Sequence, residues 1–197
     1  MNQQNNYYLK YKICVSGAAV TEHCVPDILE RTKEIGKEIV KNNCVLLTGA
    51  TTGAPYWAAI GAKEAGGISI GISPAKNRKE HVSHYQLPSD YFDLIIYTGF
   101  DYSGRNLLLT RSADAVIFSC GRMGTLNEFT IAFEDHKPIG ILTESGGTTE
   151  WMDELIRDSH REKEAKVVYD SDPKELVKKV LELIKIEEKN GNGLFHF

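Results

Sequence analysis

No apolar run in this chain approaches the length of a membrane span, and the leading residues Met1-Asn2-Gln3-Gln4-Asn5-Asn6 are polar with no apolar segment behind them. A spanning helix and a secretory leader are therefore not expected, and the reading is a cytoplasmic protein with no membrane partner. Positive charge is not in excess either: 23 Lys and Arg stand against 27 Asp and Glu, for a net charge of -4. A broad footprint for nucleic acid needs clustered Lys and Arg on one face, so no nucleic-acid partner is expected. A small anion in a local pocket remains compatible.

Cysteine is scarce. Cys14, Cys24, Cys44 and Cys120 form no CxxC pair, and Cys14 and Cys44 fall in or beside predicted buried strands. Reduced structural thiols are expected. Cys120 lies beside a predicted helix start, which lowers a thiol pKa, yet no recognisable pattern places a His or other base near it. No catalytic thiol is assigned. His81-x-x-His84 has no third ligand at a useful spacing, so neither metal nor cofactor is expected. Walker A and GxGxxG fingerprints are both missing, which disfavours a P-loop NTPase and a dinucleotide dehydrogenase.

What is present is a regular alternation. Short apolar runs, Lys12–Ser16, Val45–Thr48, Ile68–Ile72, Leu94–Tyr97, Ala115–Ser119, Ile139–Leu142 and Lys166–Tyr169, alternate with segments of helical period. These segments are Asp27–Lys41, Pro55–Ala65, Arg105–Ser112, Thr125–Asp135, Glu150–Arg161 and Pro173–Glu188. The pattern predicts an α/β fold of Rossmann-like, doubly wound type: a mainly parallel sheet of about seven strands with helices on both faces. Residues 11–189 are read as one domain, preceded by a polar segment 1–10 and followed by a tail 190–197. Residues 75–91 form a long connection, read as a solvated excursion or a lid.

Chemistry gathers where a parallel sheet binds ligands, at the carboxyl ends of its strands. Cys120-Gly121-Arg122-Met123-Gly124-Thr125-Leu126-Asn127-Glu128 follows the run Ala115–Ser119 as a strand, a glycine-bearing turn and a helix start. Unpaired amides at such a start, with the positive end of the helix dipole, favour a phosphate. Ser16-Gly17 after the first strand and Thr48-Gly49 with Thr51 and Thr52 after the second add small and hydroxyl-bearing neighbours. The candidate phosphate and nucleotide contacts are thus Ser16, Gly17, Thr48, Gly49, Thr51, Thr52, Gly121, Arg122, Gly124 and Thr125. Arg105, read at the start of its helix, needs an anion to offset the dipole. Glu128, one turn inside its own helix, is expected to be ionised at neutral pH and able to stabilise a growing positive charge or activate water.

Taken together these residues resemble the LOG family, nucleoside 5′-monophosphate phosphoribohydrolases often labelled possible lysine decarboxylases, within the wider SLOG group of nucleotide-binding proteins. The family motif PGGxGTxxE is matched here by Gly121, the pair Gly124-Thr125 and Glu128, with Cys120 for Pro and Arg122 for the second Gly. Arg105 and Arg111-Ser112-Ala113-Asp114 match its second mark, and the likeness runs from about Ile13 to Leu142. The resemblance implies a nucleoside monophosphate on Gly121–Thr125, Arg105 and Glu128 as the catalytic pair splitting the base–ribose bond, and a homodimer or higher homo-oligomer. The chain is also similar to molybdenum cofactor carrier proteins, which bind a phosphorylated pterin without turning it over. A hydrolase, a carrier or sensor, and a domain that serves only structure or partner binding are the three alternatives.

Overall fold

The computed structural model describes residues 9–191. Most of the polar leading segment and the tail from Asn192 onward lie outside the described residues. The strands are β1 (Lys12–Gly17), β2 (Val45–Thr48), β3 (Ser69–Ser73), β4 (Leu94–Tyr97), β5 (Ala115–Ser119), β6 (Ile139–Leu142) and β7 (Val167–Asp170). The helices are α1 (Ile28–Lys41), α2 (Ala54–Glu64), α3 (Arg78–Ser83), α4 (Asp101–Ser112), α5 (Met123–Glu134), α6 (Met152–Asp158) and α7 (Pro173–Gly191). All seven strands run parallel in the order β4-β3-β2-β1-β5-β6-β7. The chain builds outward from β1 to the β4 edge, then crosses back to β5, so the strand order reverses between β1 and β5.

Period-two alternation sorts the strand side chains into two cores. Ile13, Val15, Leu46, Ala115 and Ile117 join Ile35 and Ile39 of α1, Ala58 and Ala62 of α2 and Val177 and Val180 of α7. Cys14, Leu47, Val116 and Phe118 point the other way, onto Leu109 of α4, Phe129 of α5 and Ile156 of α6. Because both faces are covered, the strands read as nearly continuous apolar runs. No helix among the described residues is long and apolar enough to cross a membrane.

Two predicted elements differ from the structure. The helix expected from Arg105 begins at Asp101. Gly99, Ser103 and Gly104 read locally as a loop, but Asp101 places a carboxylate in the first turn, where the dipole favours it. The stretch 75–91 is neither a free excursion nor structureless. It contains α3, started by the Asn77 side chain accepting from the Glu80 amide at 2.9 Å, and is pinned by buried His81. That ring bonds Ser73 Oγ through Nδ1 and the Pro88 carbonyl through Nε2, both at 2.8 Å. With both ring nitrogens engaged, His81 acts as a buried brace.

Helices α1 and α2 meet backbone to backbone. A Cβ on Gly36 would stand 2.0 Å from the Ala58 carbonyl oxygen, and one on Gly61 would stand 1.9 Å from that of Lys33. Lys33 and Glu64 close the contact with a 2.7 Å ion pair. Gly36→Leu is therefore expected to separate the pair and cost roughly 3 kcal/mol, as overpacking of a close contact does. Urea unfolding that gives the same midpoint as wild type would refute the close contact.

Candidate functional site

The reversal of strand order opens a cleft beyond the ends of β1 and β5, the position at which open parallel sheets take up ligands. The cavity there has a volume of about 420 Å³. Its walls include Ser16 and Gly17 from the end of β1, Gly49 and Thr51 after β2, and Arg105 and Asn106 from α4. Arg122, Gly124, Thr125 and Glu128 complete it from the β5–α5 turn and from α5. The two residues read as a catalytic pair thus face one space, with most of the predicted phosphate contacts around them.

Arg105 projects from the second turn of α4 rather than from the helix start, so the dipole does not account for it. The side chain is only 4% exposed, and its Nη1 donates to the Ile72 carbonyl at 3.3 Å. Its Nε is buried without an acceptor, and no carboxylate forms an ion pair with it among the described residues. The guanidinium lies across Gly49: a Cβ there would stand 1.6 Å from Nη1. The guanidinium thus lines the cavity with its charge unpaired among the described residues, and a planar fork of this kind suits phosphate.

Glu128 is buried, and its Oε2 accepts a hydrogen bond from the Ser16 hydroxyl. Burial pushes its carboxyl above the usual carboxylate range; the Arg105 charge and the Ser16 hydrogen bond pull the other way without cancelling the effect. Burial, rather than the helix start that the sequence suggested, is therefore the main influence on its ionisation. Glu128 lies beyond the first turn of α5, where the dipole has faded, and desolvation dominates.

The start of α5 presents bare backbone. Apart from its chain neighbours and the helix's own backbone, nothing lies within 4 Å of where a Gly124 Cβ would be, so the space beside the first turn is open. Arg122, the N-cap residue, is exposed at the mouth and has no ion pair among the described residues. It borders the cavity without filling it.

Three predicted contacts do not line the cavity. Thr48 is buried and its Oγ1 accepts from the Ala50 amide at 3.1 Å. Thr52 is exposed and donates to the Ala19 carbonyl at 3.1 Å. Gly121 packs beneath the loop after β6, where a Cβ would stand 2.4 Å from Thr148 Oγ1. Each shapes a loop instead. Ala18 and Ala19, read with Ser16 and Gly17 as a loop small enough to pass a ligand, do line the cavity, whereas Tyr102, Met123 and Val20 were missed. Tyr102 sits one turn before Arg105, with its ring centroid 5.8 Å from the guanidinium carbon. Its i,i+3 spacing to Arg105 was legible only with α4 started at Asp101. Asn106, also unassigned, donates from Nδ2 to Asn127 Oδ1 at 2.9 Å and ties α4 to α5.

The cysteine expectation is half corrected. Cys14 and Cys44 are free and buried, but Cys24 and Cys120 are joined in a disulfide. Cys120 also has an imidazole beside it, with His23 Nε2 at 3.6 Å from its sulfur. A pairing across 96 residues leaves no local spacing to read.

A family model described as the SLOG cluster4 family matches residues 10–177. The chain belongs to this family. Among solved structures, the molybdenum cofactor binding protein of Rippkaea orientalis is 32% identical, with 92% of this chain and 99% of that one covered and a TM-score of 0.71. The molybdenum cofactor carrier protein of Chlamydomonas reinhardtii is 27% identical over 90% of this chain and 99% of its own, at a TM-score of 0.72. An uncharacterized protein of Archaeoglobus fulgidus is 28% identical over 131 residues, 66% of this chain and 81% of that protein. The SLOG cluster4 chain thus has its expected fold and superfamily, with carrier proteins among its structural relatives.

The proton balance at Glu128 is measurable. A raised folded-state pKa means that the folded chain holds this proton to higher pH than the unfolded chain, so stability falls as pH rises through that interval. Glu128→Gln removes the dependence. The melting temperature of the variant minus that of wild type is expected to be larger at about pH 8 than at about pH 4, near the unfolded carboxyl pKa. A difference that stays constant with pH would show that burial does not govern Glu128.

Proposed function

We propose that this protein binds a phosphorylated small molecule of nucleotide or pterin type and holds it as a carrier. Its phosphate sits on the bare first turn of α5, between Arg105 and Arg122. The observation that carries this reading is the buried Arg105 guanidinium, which lines an open cavity with no carboxylate paired to it among the described residues and with a donor left unsatisfied. Such a donor is costly unless a ligand meets it. The similarity to molybdenum cofactor binding and carrier proteins supports cargo of the phosphorylated pterin class. The residues fit such a group: Gly124 leaves the amides clear, and two guanidinium groups can share a dianion's charge.

A second reading, hydrolysis of a nucleoside 5′-monophosphate at its base–ribose bond, is favoured by Arg105 and Glu128 lining one cavity. Glu128, with its proton held more tightly than usual, suits a general acid delivering that proton to the departing base. Homodimer formation in the cytoplasm belongs to the same proposal, and exposed Phe100, Leu107 and Leu108 of the α4 region supply apolar surface for it.

The purified protein is to be titrated with AMP, GMP and molybdopterin by calorimetry, with free base followed in parallel. Binding of at least one of them without base release is expected. Arg122→Ala should weaken it roughly tenfold, the worth of one charge-assisted phosphate contact. Gly49→Ala should weaken it further by displacing Arg105. Base release abolished by Glu128→Gln would replace the carrier reading with the hydrolase, and no binding at all would refute both.

A further inference from the structure

Beneath the phosphate turn lies a second group of chemically active side chains that the proposed function does not use. His23 and Cys24 come from the β1–α1 loop, and Cys120 from the end of β5. His23 Nε2, Cys24 Sγ and Cys120 Sγ lie within 4.8 Å of one another. Nε2 is 3.9 Å from the Cys24 sulfur and 3.6 Å from that of Cys120. We propose that in the dithiol state these three side chains form a binding site for a thiophilic divalent cation of the zinc class, interchangeable with the disulfide.

Both cysteines are positioned by bonds that do not involve sulfur. The Cys120 amide donates to Ser145 Oγ at 2.9 Å, and that hydroxyl is held in turn by the Leu142 carbonyl at 2.6 Å and by Thr149 Oγ1 at 2.9 Å. Cys24 forms a β-bridge with Gly146, and the Val25 amide donates to the Ser145 carbonyl at 3.4 Å. Cutting the disulfide leaves two thiols facing each other on a common support, with Cα atoms 5.8 Å apart. Side-chain rotation then lets the sulfurs separate to the roughly 3.8 Å that two zinc–sulfur bonds in tetrahedral geometry require. The imidazole is equally ready. Its contact with the Gly121 carbonyl at 3.2 Å is expendable, because that oxygen also accepts the Thr148 amide at 3.0 Å.

The chemistry balances. Two equivalents of an external thiol reduce the disulfide, giving Cys24 and Cys120 as thiols and the external reductant as its disulfide. Metal capture then releases two protons, one from each thiol, while the neutral imidazole moves its proton to Nδ1 and offers Nε2. Two thiolates and a dication sum to zero charge, so the loaded site does not repel an anion on the turn above. Two sulfurs and one nitrogen select zinc-class ions over magnesium or calcium, which want oxygen. With three protein donors, a water or ligand atom takes the fourth position on the exposed His23 side.

The full chain, reduced with a phosphine under anaerobic conditions, is to be titrated with Co2+ and back-titrated with Zn2+. The expected result is a thiolate-to-cobalt charge-transfer band that saturates at one ion per chain and is bleached by stoichiometric zinc. Cys24→Ser and Cys120→Ser should each lose roughly a hundredfold or more in affinity, because each removes a thiolate ligand. His23→Gln, at an exposed position, should keep the band and bind roughly tenfold more weakly. Protein oxidised with glutathione disulfide should take up no ion. Cobalt binding no stronger than in a folded Cys24→Ser/Cys120→Ser double variant would overturn the proposal. So would unchanged affinity in His23→Gln. Buried Cys14 and Cys44 are present in every variant and serve as the internal control.

Discussion

The most expensive element of this structure is the Arg105 guanidinium, taken out of water with one backbone carbonyl as its hydrogen-bond acceptor. A cation buried in this way is tolerable only if the surroundings supply negative potential or await it. Glu128 lines the same cavity, but burial raises its carboxyl pKa and so weakens it as a counter-charge, while the Arg105 charge pulls the other way. Other features of the site follow from accommodating that charge. Gly49 lacks a side chain because the guanidinium occupies its place, Tyr102 lays a ring face near it, and Ser16 spends its hydroxyl on the opposing carboxylate. The pocket therefore sets donors from α4 and the start of α5 beside a desolvated acid.

The proposed carrier role asks only that such a pocket retain an anion. Electrostatic binding acts before any bond is altered, and catalysis needs additional stabilisation that appears only as charge develops. A carrier requires nothing more. Hydrolysis would ask Glu128 to release its proton at the right moment, and its desolvated setting fits that acid role better than the role of a permanent anion.

Much of the architecture was legible because the relevant signals are local. Val45–Thr48, Ala115–Ser119 and Ile139–Leu142 were bounded as read, since strands covered on both faces appear as short apolar runs between polar turns, and Leu94–Tyr97 was bounded as read although this edge strand leaves Leu94 and Ile96 exposed. The motif glycines and Glu128 marked the site for the same reason, being adjacent in the chain. What escaped notice was set by distance or competition. The start of α4 was hidden by Gly99 and Gly104, so Arg105 was credited to the wrong cause and Tyr102 was overlooked. Glu128 was read by its proximity to a helix end, whereas its ionisation is decided by side chains and burial that only the assembled sheet creates. The Cys24–Cys120 bond, with His23 beside it, joins loops that carry no mutual sequence signature.

The glycine-to-carbonyl seam between α1 and α2 has a mechanical consequence for the cleft. Two helices in backbone contact leave little slack for sliding. The loops feeding them are stitched as well, since the Ala54 amide donates to the Ala18 carbonyl at 3.0 Å. The wall formed by Ala18–Val20 and by Gly49 and Thr51 is thus anchored to a closely packed helix pair. Across the cleft Tyr85 and Tyr102 meet edge to face, so the α4 side is held by ring packing rather than by a backbone seam.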